Sequence, residues 1–504
     1  MCLHACENGI AQKRGSVPVE VSQRPARMMK IMRFRSCPEL GTRDPLDVLA
    51  SWPSDTPVVV LHSQAASHQV ARWSLIAPAA GRLRASARGH TAFGTLPELP
   101  ELTPTGNAVD ILAAIDTHRR HQSTHTDMPP FTGWIVSMAY ELGEYLEPAV
   151  RAGVASEQHD ALLVDACWCP DALIYDRVNH AWWQCGDPPI PEEEPHSPPS
   201  LHATGPVSST PTAEVWPEHV ASGIEAIHRG DIFQVNLTRQ LEVPVRGTPR
   251  AFAMRALQEP QAVFGCLIEP PVDAPESGII VSISPELFLH VDHQGGITTR
   301  PIKGTLSTEA SWEELRDSTK DAAELHMIVD LMRNDLGRVC PPGTVAVTCT
   351  RTIESHPTVH HGVAEVQGRL RPEITLIDLL RATFPAGSIT GAPKIRAMQL
   401  IKELEPLPRG LYCGAIGMLG PGQAVALSVA IRTAHLHGAV AGTQWEGVLR
   451  YGVGCGIVSD SDPIRELEES DDKARALLMS LHNPDASPPC VTTTDDVACS
   501  QSPA

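Results

Sequence analysis

Thr299-Arg300-Pro301-Ile302-Lys303-Gly304-Thr305 places one lysine between an isoleucine and a Gly-Thr turn, just past a β-rich run. Pro301 fixes its own φ and biases Arg300 toward extended backbone. Gly304 lets the chain turn directly after the lysine. Lys303 is thereby held on a stiff, partly apolar platform, where an ammonium is poorly solvated and its pKa can fall. A lysine in that state can be a nucleophile. Taken alone, the heptapeptide fits an exposed turn lysine better than a site, because most lysines are exposed. The flanking chain changes that balance.

Upstream, residues 281–289 read as a strand interrupted by Pro285, which frees Glu286 from ladder register and can aim it into a cleft. A solvated glutamate at a strand bend fits that stretch as well. In residues 231–241 the side chains alternate: Phe233, Val235 and Leu237 point one way, Gln234, Asn236, Thr238 and Gln240 the other. Such a polar face meets water or a polar ligand. Just before it, Val220, Ile224 and Ile227 share one helical face, with Gly230 placed to cap the end.

Downstream, a long helix is expected over about 312–334, with Leu325, Ile328, Val329 and Met332 as its apolar stripe and Glu324 beside that stripe. Ser388, Thr390 and Gly391 precede a second helix, whose stripe is Ala397, Leu400, Ile401 and Leu404. Pro393 suits its first turn, and free N–H groups at such a start attract anions. The Gly-x4-Gly-Lys-Ser/Thr spacing is absent, which argues against a nucleoside-triphosphate site. Residues 426–434 read as a strand with Arg432 inside it; a strand arginine needs a structural acid or a substrate carboxylate. Gly452, Gly454 and Gly456 lie in a strand over 451–458, where either a ligand or tight sheet packing would require them. Asp462-Pro463 starts a last helix on which Glu466, Glu469 and Lys473 share a face. Spacing alone fits a solvated salt-bridged face.

The first half is a mixed α/β lobe. Strands are expected at 58–61 and 172–175, a strand leading into a short helix over 133–145, and a helix at 107–120. Residues 1–45 are polar and breaker-rich and are expected to form a disordered arm, with Met28, Met29 and Met32 as alternative starts. Residues 187–212 carry eight prolines and read as an extended connector, and a polar tail is expected from 485.

The bulk composition is that of a globular protein of 504 residues, 42% hydrophobic, large enough for one big domain or two to three smaller ones. A formal charge of −19 argues against nucleic-acid and anionic-membrane partners. No apolar run approaches the ~20 residues of a membrane span, and the first 36 residues lack the apolar core of a secretory signal. The 13 scattered cysteines suit reduced thiols in a cytoplasmic protein.

Read together, DIFQVNLTR at 231–239, SPELF at 284–288, RPIKGT at 300–305, residues 324–339, FPAGSITGAPK at 384–394, AIRT at 430–433 and the run 454–463 stand in the order of one family. The chain from about 215 to 482 resembles the chorismate-utilising enzymes: anthranilate, aminodeoxychorismate, isochorismate and salicylate synthases. The resemblance implies an α/β (α+β) fold of two large antiparallel sheets packed as a sandwich with outer helices. Residues 46–186 would be its N-terminal region, 187–212 a loop, and 213–484 the chorismate-binding catalytic region.

It also implies roles for residues. Glutamine at 234, where the water-using branches carry a lysine, points to an ammonia-using branch. Lysine at 303, where anthranilate synthases carry alanine, points to the aminodeoxychorismate branch, in which that lysine attacks the substrate. Lys303, Glu286 and His361 would be catalytic. Arg432, Thr390, Gly391, Gly454, Gly456 and Lys473 would bind substrate, and Glu324, Glu466 and Glu469 would hold Mg²⁺. Ser63, Arg72, Trp73 and Ser74 resemble a tryptophan-binding segment of relatives. The chain shows no Cys-His-Glu glutaminase region, so a separate glutamine amidotransferase subunit is expected as partner. The rival expectations are an anthranilate synthase component and an inactive chorismate-binding regulatory subunit.

Overall fold

The computed structural model describes residues 34–64, 71–122, 131–151, 161–192, 200–260, 262–271, 278–357, 359–442 and 444–481. Two antiparallel sheets dominate it, thirteen strands in one and eleven in the other. The first half supplies strands such as Val58–His62 and Trp73–Pro78 to the first sheet and Gly81–Ala85 and Trp134–Met138 to the second. The second half supplies Gln234–Gly247 and Gln444–Ile457 to the first and Ile302–Ser307 and Val359–Arg369 to the second. No boundary separates the halves, as the expected sandwich required.

Val59, Leu75, Ile174 and Ile280 of the first sheet meet Ile135, Cys167 and Ile416 of the second in a buried central layer. Outer cores lie under the helices: Leu325, Ile328 and Met332 of the helix Thr319–Gly337 pack with Phe288 and Phe384. The apolar stripe of that helix is therefore its buried face.

The chain changes sheet at several points, and two of these, adjacent in space, carry candidate site residues. Strand Ile279–Ser284 belongs to the first sheet and Leu287–Val291 to the second, with Pro285 and Glu286 between. Strand Val425–Val429 belongs to the second sheet and Thr433–Ala441 to the first, with Arg432 between. The crossings are stitched together: Val429 N donates to Glu286 O at 3.1 Å and Ile283 N to Arg432 O at 3.0 Å. Pro285 thus marks a change of sheet. Arg432, expected inside a continuous strand over 426–434, instead sits at a break with φ +49. A continuous strand could not serve both sheets.

Four other expectations change. The arm expected over 1–45 does not hold for its described part, since Phe34–Ser36 pairs with Ala181–Cys185 and Pro45–Ala50 is a helix capped by the Asp44 side chain; residues 1–33 lie outside the described residues. The connector at 187–212 is partly sewn down: His202–Ala203 and Ser208–Thr210 both pair with Gln234–Gly247. The helix expected over 312–334 is two, Trp312–Asp317 and Thr319–Gly337, because Ser318 leaves helical geometry to cap the second. Phe233, expected to share a face with Val235 and Leu237, precedes the strand and is 70% exposed. The tail from 485 lies outside the described residues.

Candidate active site

Lys303 lies in the strand Ile302–Ser307, whose pairing with Val359–Arg369 slips between Ile302 and Thr305. Gly304, at φ +80, takes up that irregularity. The lysine reaches across to the other sheet: a Cβ placed on Gly456 would stand 2.9 Å from Lys303 Nζ and 2.5 Å from Gln234 Nε2. A glycine at 456 is what leaves room for both side chains. Gly454 serves the sheet instead, since a Cβ there would meet Leu237 O at 2.2 Å.

Glu286 is buried at its crossing and accepts a hydrogen bond from Ser388 Oγ at 2.5 Å. Burial pushes its carboxyl up to about 7, against the opposing pull of Ser388 and the Lys303 charge. A carboxyl in that range can hold a proton near neutrality and release it. In the sequence Ser388 stands only as part of a helix start; no local signal pairs it with a glutamate 102 positions away.

His361 is buried beside Thr305, with Nδ1 3.0 Å from its hydroxyl and Nε2 without a protein partner. Burial, helped by the Arg432 charge, lowers its pKa to about 3, so the ring is neutral. Gln234 Oε1 and Asn236 Nδ2 are likewise buried without protein partners. The polar face of Gln234–Gly247 therefore meets no water at its start, and an acceptor and a donor stand ready for a polar ligand. Arg300 is committed to Glu354 at 2.6 Å and Glu365 at 3.2 Å.

The acidic residues lie on two helices. Glu324, on Thr319–Gly337, is raised by burial, with Lys303 and Lys320 opposing and Glu469 adding to the rise. Glu466 and Glu469, on Pro463–Leu478, bring carboxylate oxygens within 4.8 Å of each other and of Cys455 Sγ; Glu324 is outside that trio. Lys473 spans Glu469 Oε1 at 2.7 Å and Gly454 O at 3.0 Å. Cys455 lies between Gly454 and Gly456, and nothing in its own stretch of sequence points to it.

Thr390 and Gly391 hold the wall behind Gln234. The Thr390 hydroxyl donates to Ala386 O at 3.1 Å and its carbonyl accepts from Asn236 N at 2.8 Å. Gly391 has φ +147 and pairs with Val235 in the sheet. Apart from these, Ser63, Arg72, Trp73 and Ser74 meet at one corner: Ser63 N donates to Ser74 Oγ at 3.2 Å, and the Arg72 guanidinium stands 4.4 Å over Trp73 while Nε donates to Asp176 at 2.8 Å.

Lys303 thus stands at Gly456, where its charge acts on Glu286, Glu324 and Glu469, while the charge of half-buried Arg432 acts on the neutral His361 and Glu466 lies beside Glu469. The carboxylate oxygens are hard donors, which suit Mg²⁺. A family profile of chorismate binding enzymes matches residues 61–479. The aminodeoxychorismate synthase component 1 of Klebsiella aerogenes is 36% identical over 452 residues, covering 84% of this chain and 94% of that protein. The anthranilate synthase component 1 of Streptomyces coelicolor is 32% identical, covering 76% and 80%. The crystal structure of anthranilate synthase component I from Streptococcus pneumoniae superposes with a TM-score of 0.64 at 26% identity, covering 81% of this chain and 92% of that one. With the two-sheet architecture and the gathered motifs, these matches place the chain in the chorismate binding enzyme family.

Proposed function

We propose that the protein is an aminodeoxychorismate synthase component 1, converting chorismate and ammonia to 4-amino-4-deoxychorismate and water. The observation that carries this reading is Lys303 itself, with Nζ at the glycine wall among Gln234, Glu286 and Glu324. Lys303 Nζ adds through its lone pair at C2 of the substrate while the 4-hydroxyl departs, protonated by Glu286, as water. Ammonia then adds at C4 and expels the lysine as a free amine. The proton shed by the new ammonium at C4 returns Glu286 to its acid form, so both steps balance.

His361, neutral and with Nε2 free of protein partners, orients the departing hydroxyl. Arg432 and Lys473 supply positive charge for substrate carboxylates. Glu324, Glu466 and Glu469 would hold Mg²⁺, which when bound screens the ring carboxylate from an acidic protein. Glutamine at 234 cannot act as a base toward water, which supports ammonia as the nucleophile. Ammonia would come from a glutamine amidotransferase subunit, as the wording "component 1" of the relatives suggests. The deciding test is product identification after incubating the chain with chorismate, Mg²⁺ and ammonium. 4-Amino-4-deoxychorismate with pyruvate retained supports the reading, and anthranilate with free pyruvate would replace it by the anthranilate branch.

A further inference from the structure

We propose that Arg239 is a positioning residue that fixes the register of the helix Pro463–Leu478, and through it the placement of Glu466, Glu469 and Lys473. The inference rests on the reading of those three as the metal- and substrate-holding face. Arg239 projects from the strand Gln234–Gly247, five residues after Gln234, and its side chain is fully buried. Its fork is shared among three side chains. Nε donates to Ser470 Oγ at 3.0 Å, Nη1 to Ser209 Oγ at 3.4 Å, and Nη2 to Asp471 Oδ1.

Both hydroxyls have already spent their protons on backbone carbonyls, Ser470 on Leu467 O at 2.7 Å and Ser209 on Pro211 O at 2.7 Å. They offer only lone pairs, so the position demands a multiple donor. Ser470 and Asp471 directly follow Glu469, and Ser470 lies three residues before Lys473, on the flank of the same helical face.

The helix needs such a clamp because its fully buried apolar anchors are all at one end, and Leu467, the apolar contact of the other half, is only partly buried against the core. Ala474, Leu477 and Leu478 are buried in the core, whereas in the half from Pro463 to Lys473 the fully buried residues are Glu466 and Ser470, both polar. Other tethers assist there: Cys455 Sγ to Glu466 O at 3.3 Å, Tyr451 Oη to Lys473 O at 3.2 Å and Lys473 Nζ to Gly454 O at 3.0 Å. Arg239 adds to them a directional, charge-assisted contact. It also ties in Ser209, and so joins the proline-rich connector to the site helix.

The test compares Arg239→Met, Arg239→Lys and Asp471→Asn in the full chain. Asp471→Asn guards against misfolding, because Asp471 is partly exposed and its loss strands no fully buried acid. The readouts are Mn²⁺ binding by electron paramagnetic resonance and amide hydrogen exchange along residues 463–473. Support for a metal ligand from a second residue layer is typically worth about 10- to 100-fold in affinity. Arg239→Met is expected to weaken Mn²⁺ binding about tenfold or more and to speed exchange selectively at 463–473. Arg239→Lys recovers part of both, and Asp471→Asn shows a loss of roughly threefold or more. Wild-type Mn²⁺ affinity and exchange in both Arg239→Met and Asp471→Asn overturn the proposal, as does exchange accelerated uniformly over the chain with no rescue by lysine. Absence of Mn²⁺ binding by the wild-type protein would defeat the metal reading instead, and the exchange pattern at 463–473 would then decide the clamp alone.

Discussion

Gly456 and Gly454 are two residues apart on one strand, and alanine at each should break a different thing. At Gly456 the new Cβ would meet the ends of two flexible side chains, Gln234 Nε2 at 2.5 Å and Lys303 Nζ at 2.9 Å. Ordinary contact needs roughly 3.5 Å, so Gln234 must retreat by about 1 Å and Lys303 by about half that. Chain ends move cheaply, and the loss of glycine's unfolded-state freedom offsets part of the strain, so stability should change by less than about 1 kcal/mol. Misplacing a reacting group by about 1 Å can cost about 100-fold in rate. At Gly454 the Cβ would meet the backbone oxygen of Leu237 at 2.2 Å, which only separation of the paired strands relieves. That should cost about 1–3 kcal/mol, in the range of overpacking. The assay is thermal unfolding beside ammonium-dependent turnover of both variants. A Gly456→Ala protein with near-normal turnover would show that the positions of Lys303 and Gln234 against that wall do not matter to the chemistry, and would refute the reasoning.

Glu286→Gln should remove a pH dependence whose sign follows from burial. The carboxyl stands at about 7 in the fold against an ordinary 4.5, so its contribution is fully present below about 4.5 and is lost as pH rises to about 7. Some 2.5 units correspond to roughly 3 kcal/mol, so the variant should gain stability over the wild type between pH 5 and 8, while losing turnover by about 100-fold or more; parallel pH–stability curves for the two would count against it. Glu469→Ala and Glu324→Ala should each abolish turnover at moderate Mg²⁺, and unchanged Mg²⁺ dependence in both would remove the metal assignment. Ammonium salts at raised pH should support turnover by this chain alone and glutamine should not; glutamine-dependent product free of contaminating amidotransferase would contradict the need for a partner.

Local pattern places the candidate residues, but each stretch alone fits a solvated surface as well or better, and only their joint order, as a family resemblance, makes them a candidate site. Pro301 and Gly304 mark Lys303, alternation puts Gln234 and Asn236 on one face, and helical spacing joins Glu466, Glu469 and Lys473. What stays hidden depends on long-range assembly. Nothing local tells that Pro285 and Arg432 mark crossings between sheets, since each flanking stretch has ordinary strand character on its own. Ser388 becomes the partner of Glu286 only when residues 102 positions apart meet. Cys455 and Arg239 gain meaning from the helix laid across their strands, and the early strand Phe34–Ser36 is hidden by its polar, breaker-rich surroundings.

The central claim is that Lys303 bonds to the substrate. Without ammonia the second displacement has no nucleophile, so the adduct should accumulate. Intact-protein mass spectrometry with peptide mapping, after incubation with chorismate and Mg²⁺ but no ammonium, should find a mass increase of chorismate less water on Lys303, absent from Lys303→Ala. An unmodified Lys303 under these conditions, together with near-normal ammonium-dependent turnover in Lys303→Ala, would contradict the covalent route.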